Sequence, residues 1–144
     1  MKITLGKNAY LLILFPNVDV AGFDTNEASI VAKLVYGDTS FLLTADSPKN
    51  IEQYLTALSP ESVDVDVLKI GHHGSKTSTS QELLGYASPL YAVISVSKDN
   101  QYGHPHKEVT DKLNELNIPI LRTDERGTIK FKSDGEKLFV DSKK

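Results

Sequence analysis

The side chains best suited to chemistry in this sequence are four histidines and one aspartate, and they follow apolar runs. His72 and His73 come after one such run and directly before a Gly-Ser pair. His104 and His106 flank a proline after a second run, and Asp46 ends a third. In an open α/β sheet, ligand sites form beyond the carboxyl ends of the strands. The sequence therefore predicts that the aspartate, one of the adjacent histidines and His104 share a pocket.

The absence of cysteine limits what such a pocket can do. Disulfides, thiolate metal sites and a cysteine nucleophile are excluded. A metal site would use imidazole and oxygen ligands, which suit zinc, manganese or iron. His72 and His73 cannot both face one metal from a regular strand, because side chains alternate between its faces. In a turn containing Gly71 and Gly74 they can diverge, one binding metal and one facing substrate; a structural role for the pair is the alternative.

Two of the candidate metal ligands have ordinary alternatives. Asp46 lies where a strand ends and a helix is about to begin, so it either bridges two metal ions or caps that helix. His104 lies nearer the end of its strand than His106, which favours His104 as a ligand or phosphate contact. His106, at the start of the next helix, is equally consistent with a surface residue.

Three further residues are candidates for substrate binding. Ser75 can present its hydroxyl to a phosphate or take part in capping the next helix. Asn100 and Tyr102 can orient a substrate or belong to an ordinary polar loop. For all three residues, the sequence is consistent with both roles.

Length and composition indicate an ordinary globular domain. The chain has 144 residues, of which 40% are hydrophobic and 24% charged, enough for a real core. A net charge of −3 gives no basic field for nucleic acid, although a local pocket is still possible. No apolar run approaches ~18 residues and the start has no signal-peptide pattern. We expect a soluble chain, which is compatible with its being a piece of a membrane-bound parent of unknown location.

The order of the predicted elements indicates an α/β fold with a mixed sheet. Hairpins at both ends enclose a middle part in which strands and helices alternate. Helices are expected after Ser47-Pro48, after a capping box formed by Ser78 with Gln81 or by Thr79 with Glu82, and over residues 106–116. Strands are expected over residues 2–5, 9–15, 29–36, 40–44, 63–70, 91–96, 118–121, 128–131 and 137–140.

Several of these segments, in this order, resemble the metallo-β-lactamase-fold domain of ComEC-type competence proteins and of related hydrolases. They are residues 26–31 (Asn-Glu-Ala-Ser-Ile-Val), 41–46 (Phe-Leu-Leu-Thr-Ala-Asp), 68–75 (Leu-Lys-Ile-Gly-His-His-Gly-Ser), 94–96, 100–105 (Asn-Gln-Tyr-Gly-His-Pro) and 122–129. The resemblance implies an αββα sandwich and a metal-dependent hydrolase of nuclease or phosphodiesterase type, with zinc or manganese as cofactor. It also implies roles: Asp46 and His73 bind metal, His72 contacts the phosphate, and His104 completes the pocket or binds that phosphate.

The sequence departs from the family pattern in two places. Ala45 stands where the family has glycine, which can tighten or shift the turn that carries Asp46. The family's His-x-His-x-Asp-His metal motif, which precedes these segments, does not occur in the chain. We therefore expect residues 1–144 to be the C-terminal portion of a metallo-β-lactamase-like domain, inactive alone and binding metal weakly or not at all.

The partners expected from this interpretation are the missing N-terminal half, a second copy of the chain, and, for the parent protein, DNA or another phosphodiester. Two other functions stay open. The chain can be a non-catalytic binding or assembly module that keeps the fold, or part of a small-molecule esterase of the same fold.

Overall fold

In residues 1–142, which the computed structural model describes, the chain forms nine strands, four α-helices and two short 3-10 turns. The strands are β1 (Lys2–Gly6), β2 (Ala9–Phe15), β3 (Val31–Tyr36), β4 (Thr39–Leu43), β5 (Val67–Lys69), β6 (Tyr91–Ile94), β7 (Ile120–Arg122), β8 (Ile129–Ser133) and β9 (Leu138–Ser142). The helices are α1 (Lys49–Leu58), α2 (Gln81–Ala87), α3 (Lys107–Glu115) and α4 (Thr123–Arg126), and the 3-10 turns are Pro60–Ser62 and Gly71–Gly74.

The first seven strands form one sheet in sequence order, antiparallel from β1 to β4 and parallel from β4 to β7. Tight turns join β1 to β2 and β3 to β4, with Asn8 and Gly37 at positive φ as such hairpins require, whereas the longer segment 16–30 connects β2 to β3. Parallel neighbours need crossover connections, which contain α1, α2 and α3. Because such crossovers are right-handed, all three helices lie on the same face of the sheet.

The main core lies between these helices and the sheet. Leu42, Leu68 and Ile94 of the central strands are fully buried there. Ile51 and Leu55 of α1, with apolar residues of α2 and α3, pack against them. A fully buried leucine contributes about 1.5–3 kcal/mol relative to an exposed one, so this face holds the parallel half of the sheet in place.

The other face of the sheet is apolar and only partly covered. One row of cross-strand neighbours runs across six strands, and a second runs beside it from β2 to β6. The first row is Ile3, Leu11, Leu34, Phe41, Val67 and Tyr91, and the second is Ile13, Ala32, Leu43, Lys69 and Val93. The β8–β9 hairpin covers part of the face, with the Phe131 ring 5.8 Å from Phe41 and 5.9 Å from Tyr91. Ile3 and Leu43 remain 39% and 41% exposed.

The predicted fold class is confirmed, since the chain is α/β with a mixed sheet and hairpins at both ends. The N-terminal strands do not supply the second large sheet of the αββα sandwich that the resemblance implies. Strands β1 to β4 extend the same sheet, because each pairs with its neighbour in sequence and β4 pairs with β5. Tyr91 to Ile94 is buried at alternate positions, so β6 is apolar on both faces but fully covered on one.

Several predicted boundaries are wrong by a few residues. Strand β5 is shorter than the predicted 63–70, because residues 60–62 turn and extended pairing begins only at Val67. Helix α1 has Pro48 as its N-cap, and neither predicted capping box forms, because Ser80 caps α2 by accepting the Leu83 N–H at 3.1 Å. Leu116, the last residue of the helix predicted over 106–116, follows the end of α3 and is 40% exposed.

No helix in residues 1–142 combines the length and apolar character needed to cross a membrane.

Candidate functional site

The candidate site forms at the carboxyl edge of the parallel strands. Strands β4, β5 and β6 run in the same direction, so the segments that follow them meet at one edge of the sheet. Asp46 follows β4, the His72-His73 turn follows β5, and the loop ending in His104 follows β6. The structure therefore places Asp46, the two adjacent histidines and His104 at one edge of the sheet.

The His72-His73 turn has an uncommon backbone conformation. His72 lies at φ 47° and ψ 45°, and His73 at φ 57° and ψ 20°, so both are left-handed. Left-handed conformations cost non-glycine residues roughly 1–2 kcal/mol each, and such strain is concentrated at functional sites. The turn makes the two side chains diverge, with ring centroids 6.3 Å apart and planes at 67°. The predicted divergence of the two histidines is therefore present.

His73 is oriented toward Asp46 by a backbone carbonyl. Its Nδ1 lies 2.6 Å from the carbonyl oxygen of Ser95. Because a carbonyl oxygen only accepts, Nδ1 carries a proton and donates it, so that in the neutral ring the lone pair of Nε2 is free. That Nε2 lies 3.8 Å from Oδ1 of Asp46, and both side chains are about half exposed. A backbone carbonyl that fixes the ring of a histidine in this way is typical of metal-binding histidines.

Asp46 is available for binding because it does not serve as the N-cap of α1, a position that Pro48 occupies. The preceding residue, Ala45, lies at φ 48°, and its carbonyl accepts the His72 N–H at 2.9 Å. This hydrogen bond ties the aspartate turn to the histidine turn. The left-handed Ala45 explains why a glycine suits this position, as in the family the sequence resembles.

His104 lies in the middle of a line of aromatic rings. Its ring centroid is 5.7 Å from that of His72, 4.9 Å from that of His106 and 5.7 Å from that of Tyr102. Burial lowers the pKa of His104, and the other three histidines lower it further. A lowered pKa favours the neutral ring, which is the form that binds metal or accepts a proton.

Asn100 holds the loop that carries His104. Its Nδ2 donates to the carbonyl oxygens of Ser97 and His104, at 2.9 and 2.8 Å, and its Oδ1 accepts the His104 N–H at 2.8 Å. The amide is thus engaged within the protein, which gives Asn100 a positioning role. Its predicted contact with substrate stays a prediction.

Ser75, the third predicted substrate-binding residue with Asn100 and Tyr102, is buried at 6% exposure. Its Oγ lies 2.9 Å from the Thr77 hydroxyl and accepts the Thr77 N–H at 3.3 Å. The hydroxyl is therefore engaged within its own loop. Phosphate binding by Ser75 stays a prediction.

Two imidazole nitrogens at the site are buried without a hydrogen-bond partner in the part of the chain that the structure describes. They are Nδ1 of His72 and Nδ1 of His106. An unpaired buried polar group costs about 1–3 kcal/mol, and native proteins contain few. His106 is the N-cap residue of α3 and is half-buried. It is therefore not the exposed surface residue that was one of its two interpretations from the sequence.

The turn and the loop that carry these histidines are in tight contact. The His106 N–H donates to the Gly74 carbonyl at 2.9 Å. Gly74 lies at φ 85°, and a Cβ there would stand 2.6 Å from Cβ of Pro105. Only glycine satisfies both the backbone angle and this contact.

Lys69 is a charged residue of the site that sequence reasoning missed. A lysine in a short strand gives no sequence signal of a site, but in the structure Lys69 of β5 is half-buried. Burial lowers the pKa of Lys69, and the nearby Asp46 carboxylate raises it. The cation lies in the register row between Leu43 and Val93, so only the sheet pairing reveals its approach to the aspartate.

The site supplies two donor atoms at a spacing that a metal ion can bridge. Two ligands of one tetrahedral ion, at bonds of about 2.1 Å, stand roughly 3.4 Å apart. The 3.8 Å between Nε2 of His73 and Oδ1 of Asp46 is close to that separation. Within residues 1–142, no group of three or more histidine or carboxylate side chains is arranged to hold an ion. The residues present therefore fit one edge of a coordination sphere.

Fold and site together define an α/β protein with a histidine-rich site at the carboxyl edge of its sheet, and the comparisons with known proteins extend this. The chain is 42% identical over 107 residues to ComE operon protein 3 of Bacillus subtilis (strain 168), covering 74% of this chain and 14% of that protein. It is 37% identical over 108 residues to competence protein ComA of Neisseria gonorrhoeae, covering 75% and 16%. It is 34% identical over 128 residues to recombination protein 2 of Haemophilus influenzae, covering 89% and 16%.

These similarities support a competence-protein family of the ComEC type for this chain. The chain spans only 14 to 16% of the length of these relatives. No protein-family model matches the chain. The family resemblance based on sequence motifs is thus supported at the level of competence proteins.

Proposed function

We propose that this chain is the C-terminal portion of a metal-dependent phosphodiester hydrolase that acts on DNA during its uptake. The observation that carries the proposal is the arrangement of His73. The Ser95 carbonyl fixes its tautomer at 2.6 Å, and the free Nε2 lies 3.8 Å from the Asp46 carboxylate. A site built from an oriented imidazole and a carboxylate suits a zinc or manganese ion.

In this proposal the residues of the chain have distinct tasks. Asp46 and His73 hold the metal ion, and Lys69 contributes a positive charge beside Asp46. His72 and His104, whose rings are 5.7 Å apart, contact the phosphate. If a divalent ion were held there, the chemistry that it would supply is a bound water of lowered pKa and positive charge beside the phosphate.

The proposal requires further ligands from outside this chain. Two donors do not make a catalytic zinc site, which has three protein ligands. The partly covered apolar face of the sheet supplies a surface on which the preceding half of a sandwich can pack. We therefore propose that the partner of this chain is a second β-sheet that carries the His-x-His-x-Asp-His motif.

A chimaera tests the proposed function. This chain replaces the segment of the Bacillus subtilis relative to which it aligns, and hydrolysis of a labelled oligonucleotide and of bis(4-nitrophenyl) phosphate is measured with manganese and with EDTA. We expect hydrolysis in manganese only, and a loss of at least about a hundredfold in Asp46→Asn and His73→Ala. Asp64→Asn, which changes an exposed carboxylate in the segment before β5 and away from the site, is the matched control.

One observation favours a second candidate function. Because no group of three ligands forms in residues 1–142, the chain also fits a non-catalytic module that has kept the fold. The same chimaera separates the two functions. A folded chimaera that binds the oligonucleotide but does not hydrolyse it in any divalent metal would favour the binding module.

A further inference from the structure

The exposed ring of Tyr102 is an unusual feature beside the candidate site. Its side chain is 79% exposed, although one face stacks on His104 with centroids 5.7 Å apart and planes at 24°. Large aromatic rings contribute most when buried, so a tyrosine held flat on a functional histidine with its other face free needs an explanation. The free face has the size and chemistry of a stacking surface for a planar aromatic group.

The loop that carries this tyrosine is held by hydrogen bonds from Asn100. Asn100 binds the backbone of His104 through both its amide and its carbonyl groups, at 2.8 Å each. Gly103, between the two rings, lies at φ 71°, which allows the chain to bring Tyr102 over His104. A stacking surface that is already ordered loses less conformational entropy when a ligand binds.

The same loop borders an open groove on its other side. The groove has a volume of about 720 Å³ and is lined by Ser95, Ser97, Lys98, Thr123, Asp124 and Thr128, among others. The Asp124 carboxylate is paired with Arg122, with Oδ2 at 2.6 Å from the guanidinium, so its charge is offset. Lys98 is exposed there and adds a positive charge beside hydroxyl groups. Such a lining suits a phosphate of a polynucleotide backbone.

We infer that the loop from Ser95 to His104 binds single-stranded nucleic acid. A base next to the scissile phosphate stacks on the free face of Tyr102, and a phosphate further along the strand lies in the groove beside Lys98. Stacking on an aromatic side chain together with a cation that tracks the backbone is how proteins hold single strands without reading sequence. A base inside a duplex cannot offer its face to Tyr102, so an unpaired strand or a strand end is required. This inference rests on the proposed function and names its substrate class.

The test measures binding of the chain to a fluorescein-labelled twelve-residue oligodeoxythymidylate by fluorescence anisotropy in EDTA. Wild type should bind this single strand more tightly than a duplex of the same length. Tyr102→Ala should weaken binding about tenfold, because one base–aromatic stack is lost, whereas Tyr102→Phe should keep it within about twofold. Tyr86→Ala, which removes a half-exposed tyrosine on α2, is the matched control and should leave binding unchanged.

Two further measurements separate stacking from charge. An oligonucleotide of abasic residues should bind wild type and Tyr102→Ala equally. Lys98→Ala should lower the salt dependence by about 0.7 in the slope of log K against log salt, as for one phosphate of a single strand, and Tyr102→Ala should leave that slope unchanged.

The inference is overturned if wild type does not bind the single strand, if Tyr102→Ala binds as well as wild type, or if Tyr102→Phe is as weak as Tyr102→Ala. Because the assay contains EDTA, it is independent of hydrolysis. A chimaera that does not hydrolyse DNA would contradict the proposed function and leave this binding result standing. A hydrolysing chimaera with no effect of Tyr102→Ala on binding would contradict this inference alone.

Discussion

At the scale of single residues, the site depends on three left-handed non-glycine residues in two turns: Ala45, His72 and His73. The types and order of the site residues could be read from the sequence, because ligand-type side chains follow three apolar strands. The choice of His73 over His72 as the residue directed at Asp46 could not be confirmed in that way. It depends on the Ser95 carbonyl, 22 residues away, which shows no signal in the sequence.

The left-handed Ala45 predicts a stabilising substitution. Ala45→Gly removes a conformational cost of roughly 1–2 kcal/mol and adds about 0.5–1 kcal/mol of chain entropy to the unfolded state. We expect the free energy of unfolding to rise by about 0.5–1 kcal/mol, measured by urea denaturation. Ala57→Gly, on the exposed side of α1, should lower it by about 0.5–1 kcal/mol. A lower stability of Ala45→Gly would show that the methyl group is needed for packing.

At the scale of elements, the His72-His73 turn contacts the loop of His104 at Gly74. Helix α1 contacts the start of α2 through Glu52. The sequence predicted most helices and hairpins, since these depend on local periodicity and turn residues such as those at residues 6–8 and 37–38. It missed that Ser80 caps α2. The position at which α2 begins depends on Glu52 of α1. Its carboxylate accepts the N–H groups of Thr79 and Ser80 at 2.8 and 2.7 Å. Such a contact between elements cannot be read from a capping pattern.

The contact at Gly74 predicts a strongly position-dependent effect of alanine. Gly74→Ala combines a left-handed φ with a Cβ placed 2.6 Å from Pro105, and we expect it to lower the free energy of unfolding by about 2–4 kcal/mol. Gly85→Ala on α2, where a Cβ meets nothing within 4 Å, should raise it by about 0.5–1 kcal/mol. Equal effects of the two substitutions in urea denaturation would show that the two loops are not packed together.

Glu52 predicts a pH dependence of stability. Burial raises the pKa of this carboxyl above its ordinary 4.5, and the backbone N–H groups of Ser80 and Thr79 only partly counteract this. The native state therefore binds a proton more tightly than the unfolded state, and Glu52 favours folding most at pH below 4.5. As pH rises through the native pKa, wild type should lose stability relative to Glu52→Gln, which does not titrate.

The measurement is the difference in free energy of unfolding between wild type and Glu52→Gln as a function of pH. Glu82→Gln, on the exposed side of α2, is the control for the loss of a carboxylate that is not buried. A difference for Glu52 that grows in favour of wild type as pH rises would contradict the assigned direction.

At the scale of the whole molecule, the central property is a sheet covered by helices on one face and only partly covered on the other. Mixed α/β architecture could be predicted from the alternation of strands and helices. The joining of the first seven strands into one sheet could not be predicted, because hairpins at the start of a chain can pair elsewhere equally well. The result is an apolar face with Ile3 and Leu43 exposed and one edge strand, β1, in which every residue is exposed to some extent.

This face predicts that the isolated chain self-associates. Apolar patches above a few hundred Å² usually find a partner, and an exposed edge strand can pair with another chain. Light scattering should show a concentration-dependent rise in mass, reduced by Ile3→Lys but not by Leu90→Lys, which changes an exposed leucine outside the two rows. A monomer at high concentration would contradict the prediction.

The central claim is that Asp46 and His73 form one edge of a metal site completed by a preceding segment. The most direct measurement is a crystal structure of the chimaera soaked in manganese, with data collected to locate the ion by anomalous scattering. We predict an ion bound by an oxygen of Asp46 and by Nε2 of His73, at about 2.0–2.3 Å, with the remaining protein ligands outside this chain. An ion bound through His72 with His73 turned away from it, or a folded chimaera with no ion at this edge of the sheet, would contradict the account.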